Sequence, residues 1–226
     1  MNINIEVFVT GMLGVNCSII SNPDSGEVFL VDPGGDEDRI YKYINERHLN
    51  LKAILHTHAH FDHIMGTGFL IKKYYKNRKD IEIYLHKEDE FLWKNMATQT
   101  EKFGLSLSSL DIEITQNIFH NQIIELCGIQ IRSLHTPGHS PGSCTFLIEP
   151  PFVSIPVLIV GDVIFQGSIG RTDLWGGDFN TLLKSIQDQI LTYPDQTRII
   201  AGHGSDTTVG EERQNNPFLA NYIFNG

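Results

Sequence analysis

His58-Ala59-His60-Phe61-Asp62-His63 is the stretch from which the rest of this sequence can be read. It packs three imidazoles and one carboxylate into six residues. A hydrophobic core has no use for that combination, whereas a metal ion does. Imidazole suits zinc, iron and other borderline cations, and a carboxylate can bind or bridge them. If His58, His60 and Asp62 sit on one tight turn, they point different ways, so two ions fit the stretch more naturally than one. Two cations about 3.5–4 Å apart call for further donors and a bridging carboxylate.

Those donors stand farther along the chain. His139 lies in Thr136-Pro-Gly-His-Ser-Pro-Gly142, a loop stiffened by proline and glycine. Asp162 follows the apolar run Val157-Leu-Ile-Val160 and Gly161. His203 follows Ile199-Ile-Ala201 within Gly202-His-Gly204. Asp162 and His203 read as strand exits, and layered folds collect their chemistry on loops at strand ends.

The series His58-x-His60-x-Asp62-His63, His139, Asp162 and His203 resembles the metallo-β-lactamase superfamily. Gly161-Asp-Val-Ile-Phe-Gln-Gly-Ser-Ile-Gly-Arg-Thr-Asp173 and Gly202-His-Gly204 resemble its glyoxalase II-type hydrolases, and Gly14-Val-Asn-Cys17 and Val31-Asp-Pro-Gly-Gly35 also fit. The resemblance implies an αββα sandwich of the α/β (α+β) class. It implies that His58, His60 and His139 bind one metal, that Asp62, His63 and His203 bind a second, and that Asp162 bridges both. It implies two divalent ions, zinc first, with iron and manganese as alternatives, and S-lactoylglutathione or a related hydroxyacyl thioester as the small-molecule substrate. A water shared by two cations has its pKa lowered toward about 7, so no serine or cysteine nucleophile is required. Asp62 and Asp162 are then the carboxylates at the reacting centre. Arg171, nine residues past Asp162, is either a substrate anchor or the ion-pair partner of Asp173. Arg213 is the other candidate anchor. Asp32 either backs a ligand histidine or simply shapes its Asp-Pro-Gly-Gly turn.

The rest of the sequence sets limits. All 226 residues are expected to form one domain, without the C-terminal helical substrate-binding segment of longer glyoxalase II enzymes. The net charge of −10 argues against a nucleic-acid partner. The basic run Lys72–Lys79 reads as a solvated helix end. Three widely spaced cysteines and the lack of a signal-like or membrane-spanning apolar stretch make cytoplasmic, reduced thiols and no membrane the expectation. Two other activities share the fold by resemblance: a persulfide dioxygenase with one iron on His58, His139 and Asp162, and a metal-dependent nuclease or phosphodiesterase.

Strands are expected at 4–9, 17–21, 28–31, 53–55, 81–85, 123–126, 129–134, 144–149, 155–160 and 198–201. Helices are expected at 36–48, 64–76, 87–93 and 178–191. Residues 97–121 read as an irregular excursion. His48, His56, His86, His120 and His135 read as structural, with His56 and His135 as candidates to lie behind ligands.

Overall fold

The structure, a computed structural model, describes residues 3–76, 79–101, 103–105, 110 and 112–220. Asn77 and Arg78 of the basic run, and part of the 97–121 stretch, lie outside the described residues.

Two six-stranded sheets face each other. The first contains β1 (Asn4–Thr10), β2 (Val15–Asn22), β3 (Glu27–Val31), β4 (Asn50–Leu55), β5 (Glu82–His86) and β6 (Gln116–Ile118), in sequence order. Its first three strands pair antiparallel and the rest pair parallel. The second contains β7 (Ile123–Leu126), β8 (Ile129–His135), β9 (Cys144–Ile148), β10 (Val157–Gly161), β13 (Arg198–Ala201) and β14 (Thr207–Thr208). Its order is β14-β13-β10-β9-β8-β7, and only β10 and β13 run parallel. The small hairpin of β11 (Ile164–Phe165) and β12 (Ser168–Ile169) stands apart.

Alternation along the strands builds three apolar layers. On β3, Phe29 and Val31 point between the sheets, toward Phe146, Ile148 and Ile159. Val28 and Leu30 point the other way, onto Ile40 and Ile44 of α1 (Glu37–Glu46) and Ile64 and Leu70 of α2 (Phe61–Tyr74). On the far face, Leu147, Leu158 and Val160 meet Leu182 and Leu183 of α5 (Phe179–Ser185) and Ile186 of the π-helical turn that follows. Strands covered on both faces read as continuous apolar runs, as Val157–Val160 does. The architecture is the αββα sandwich. Among the described residues no helix is long and apolar enough to cross a membrane.

Several elements differ from the sequence reading. Helix α2 starts at Phe61 rather than 64, because His60 takes the extended N-cap conformation, so Asp62 and His63 ride its first turn. A carboxylate there complements the helix dipole. Asp36 occupies the N-cap of α1 with φ 52° and makes no capping bond; its carboxylate accepts the Gly11 N–H instead. Helix α3 (Glu90–Lys94) leads into the 97–121 stretch, which is not wholly irregular: α4 (Met96–Glu101) and strand β6 fall in or beside it. After His203 come β14 and α6 (Val209–Asn215). Both are too short for periodicity to reveal.

Candidate metal centre

Four strand exits converge at one end of the sandwich. His58 and His60 lie on the loop after β4, and Asp62 and His63 open α2. His139 sits between β8 and β9, Asp162 directly follows β10, and His203 follows β13. Gly202 permits the last approach, since a Cβ there would strike the Asp162 carboxylate and the His63 ring.

The side chains form two groups with Asp162 between them. His139 Nε2 lies 2.8 Å from His60 Nδ1 and 3.2 Å from His58 Nε2. Asp62 Oδ2 lies 3.4 Å from His203 Nε2 and 3.9 Å from His63 Nε2. Asp162 reaches His63 Nε2 with Oδ1 at 3.3 Å, and His139 and His203 with Oδ2 at 3.6 and 3.7 Å. Ligands about 2.0–2.2 Å from a tetrahedral ion stand roughly 3.3–3.6 Å apart, so these spacings suit coordination.

Proton placement points the same way. His63 Nδ1 faces Asp32 Oδ2 at 3.0 Å, His139 Nδ1 faces the Arg171 carbonyl at 2.8 Å, and His203 Nδ1 faces the Leu13 carbonyl at 3.1 Å. Each acceptor fixes the proton on Nδ1 and leaves Nε2 bare. Thr57 donates its hydroxyl to Asp32 at 2.5 Å, so its oxygen is free to accept from His58 Nδ1 at 3.1 Å. The Nε2 atoms of His58 and His139 are thus left to face each other, with His60 Nδ1 2.8 Å from His139 Nε2. His63 Nε2 and Asp162 Oδ1 are buried without a hydrogen-bond partner. Buried polar atoms are rarely left so. Two cations would satisfy both groups, and the donor set of imidazoles and carboxylates fits them.

A sequence model of the metallo-beta-lactamase superfamily matches residues 10–203. The chain belongs to that superfamily. Hydroxyacylglutathione hydrolase GloC of Haemophilus influenzae is 38% identical over 219 residues, covering 96% of this chain and 98% of the relative. The crystal structure of BLEG-1 B3 metallo-beta-lactamase superposes with TM-score 0.84 at 34% identity, over 96% of this chain and all (100%) of that one. TTHA1623 in a di-iron-bound form gives TM-score 0.81 at 31% identity, over 95% of this chain and 100% of that one.

Burial sets the charge states of this metallo-β-lactamase superfamily site. Burial, reinforced by the other imidazoles, pushes His58 well below the usual histidine range and His60 down to about 3. Both are thus held neutral, the form a metal needs. Burial opposes ionisation of Asp32, but hydrogen bonds and charge from His56 and His63 outweigh it and bring its carboxyl to about 2.

Asp32, at φ 51°, accepts from His63 and from both the N–H and the hydroxyl of Thr57. Two further residues escaped the sequence reading. Asp89, wholly buried, accepts from Ala59 N at 2.9 Å, Ser140 Oγ at 2.7 Å and Gly142 N at 2.6 Å, so it ties the 58–63 loop to the His139 loop. Gln99 of α4 accepts from Phe61 N and donates to the Ala59 and Leu92 carbonyls. Neither has a motif. Asp89 looks like one more acid in Lys87-Glu-Asp-Glu90, and Gln99 falls in the stretch without a clear period.

His60, Asp62, His139, Asp162 and His203 floor a cleft open to solvent and lined also by Leu13, Phe61, Leu92, Phe103, Leu174 and Trp175. Arg171 lines it too, with its guanidinium gripping Asp173 through Nε and Nη2 at 2.7 and 2.8 Å. Arg213 does not join the cleft lining; it pairs with Asp195 and the Leu191 and Tyr193 carbonyls. His86 and His135 stack at 4.1 Å, their nitrogens taken by Glu88 N and the Pro141 carbonyl. His56 touches Thr67 Oγ1 and lies 3.7 Å from Asp32. Cys17, Cys127 and Cys144 are free and buried.

Proposed function

We propose that this chain is a binuclear metal-dependent hydrolase that cleaves a thioester, with S-lactoylglutathione or a related hydroxyacyl thioester as its substrate. The observation that carries the reading is the Asp162 carboxylate standing between two groups of imidazole and carboxylate donors on the floor of an open cleft. The likeness to GloC across almost the whole chain supports the thioester.

In this reading His58, His60 and His139 would hold one ion, Asp62, His63 and His203 would hold the other, and Asp162 would serve both. When bound, the pair supplies a water of lowered pKa and polarises the substrate carbonyl. The chain's own groups do the rest. Asp32, Thr57 and the carbonyls of Arg171 and Leu13 hold the tautomers that aim the bare nitrogens inward. Asp89 and Gln99 keep the ligand loops in register. Phe61, Leu92 and Phe103 exclude bulk water from one wall. Arg171 offers the donor edge that Asp173 leaves free to a substrate carboxylate. The leaving thiolate requires no general acid, and Ser140, which donates to Asp89 and pairs with Ser143, braces the loop in this reading rather than acting as a nucleophile. Zinc is the first choice of metal, and the di-iron form of TTHA1623 keeps iron as the alternative.

The test is elemental analysis of protein purified without added metal, followed by a panel of thioesters, a β-lactam and glutathione persulfide on that preparation. Turnover of the hydroxyacyl thioester with close to two ions per chain is expected. Iron-dependent oxygen uptake with the persulfide, and no thioester turnover, would replace this reading with the dioxygenase.

A further inference from the structure

Of the seven donors, His203 is held least by packing. Its side chain is 27% exposed, against 0% for His63 and 2% for His139. It also stands between two glycines, of which Gly204 takes φ 76°. Glycine leaves the backbone free, so the ligand's own loop does little to fix it. The fixing comes from the other sheet, from the turn after β1 and the start of β2. Val15 bridges to His203, and the Asn16 main-chain N–H donates to the Gly202 carbonyl at 2.8 Å. The Asn16 side chain, in a buried residue, donates from Nδ2 to the carbonyls of Ala201 and Gly204, each at 2.9 Å. Those two carbonyls lie on either side of His203 in the chain. One carboxamide thus spans the ligand's backbone, while the Leu13 carbonyl takes the ring at Nδ1, 3.1 Å away.

We infer that Asn16 is the positioning residue for His203 and so sets how tightly one of the two proposed ions is held, the one on Asp62, His63 and His203. This rests on the two-ion reading of the site. A neutral carboxamide is the group suited to the task. Both carbonyls need a donor, and the amide NH2 supplies two hydrogens in fixed directions from one nitrogen. A carboxylate of the same shape has no hydrogen to give and would turn its charge toward two carbonyl oxygens. Alanine would leave both carbonyls without that donor. The effect falls on one ion because these bonds end on residues 201–204. His58, His60 and His139 ride other loops, which Asp89 braces.

The experiment is stepwise chelator competition on zinc-loaded wild type, Asn16→Ala, Asn16→Asp, His203→Ala and His139→Ala. One binding step should weaken about tenfold in Asn16→Ala, and further in Asn16→Asp, with the other step unchanged. The weakened step should be the one that His203→Ala abolishes, not the one lost in His139→Ala. A general loosening of the fold would move both steps together and would overturn the inference. Two steps equal to wild type, or weakening of the His139 step alone, would overturn it as well. Asn16→Ser, which keeps a single donor, carries the same comparison should Asn16→Ala and Asn16→Asp not fold. If the wild type holds fewer than two ions, the proposed two-ion reaction falls, and the placement of His203 is then read without metal. Crystal structures of metal-free wild type and the Asn16 variant serve for this. His203 drawn away from the Leu13 carbonyl, with His58, His60 and His139 in place, upholds Asn16 as its positioning residue. His203 unmoved, or all four histidines moved together, removes Asn16 from that role.

Discussion

The carboxylate of Asp89 accepts the main-chain N–H of Gly142 at 2.6 Å, and a Cβ at Gly142 would collide with that same carboxylate. Glycine at 142 and aspartate at 89 therefore fit as a pair, one from the turn after β5 and the other from the loop after β8. Through Asp89 the loop of His58 and His60 is braced against the loop of His139.

Asp89→Ala should leave the Ala59 and Gly142 amides and the Ser140 hydroxyl without their acceptor in a fully buried place. Each buried unsatisfied group costs about 1–3 kcal/mol, so a loss of roughly 3 kcal/mol or more is expected in denaturant unfolding. Metal retention should fall with it. Asp89→Asn, which keeps one acceptor oxygen, should lie in between. Wild-type stability and metal content in the alanine variant would remove Asp89 from this role.

Asp162→Ala should lower the occupancy of both proposed ions together, since the carboxylate reaches donors in both groups. Elemental analysis is the readout. Two ions retained at full activity would show that Asp162 is not the bridge.

Asp32→Ala takes from His63 the acceptor that fixes its tautomer, and from Thr57 the partner of both its N–H and its hydroxyl. Loss of such an outer partner weakens metal affinity by about 10–100-fold. Competition with a chelator measures this, and the effect should be greater for one ion than for the other. Equal affinities in wild type and variant would leave Asp32 as a turn residue only.

Removal of both ions by a chelator should lower the thermal midpoint, because the bare nitrogens around His139 and the partnerless His63 Nε2 lose what satisfies them. Restoring the metal should restore the midpoint. A midpoint indifferent to metal would argue against tight binding at this cluster.

Arg171→Ala should raise KM for a carboxylate-bearing thioester by about tenfold, with an uncharged thioester little affected, as expected for a lost charge-assisted contact of roughly 1.4 kcal/mol. Asp173→Asn should not do the same, since it leaves the guanidinium in place. Equal losses on both substrates would make the Arg171–Asp173 pair structural.

The layered architecture and the seven candidate donors were legible in the sequence itself, for a plain physical reason. Metal coordination accepts few side-chain types and brings them in tight local spacing, and strands buried on both faces write themselves as apolar runs such as Val157–Val160. What supports the donors was left to tertiary structure. The carbonyls of Arg171 and Leu13 orient His139 and His203, yet a carbonyl is the same at every residue and leaves no mark in a sequence. Asp89 and Gln99 act on main-chain groups 30 to 53 and 7 to 40 residues away, and those partners meet only once the strand ends converge. The short elements β6, β14, α4 and α6 owe their form to neighbours rather than to period. Whether Arg171 faces Asp173 is likewise decided by how the loop after Asp162 folds back over His139, because side-chain direction depends on backbone path and not on spacing alone.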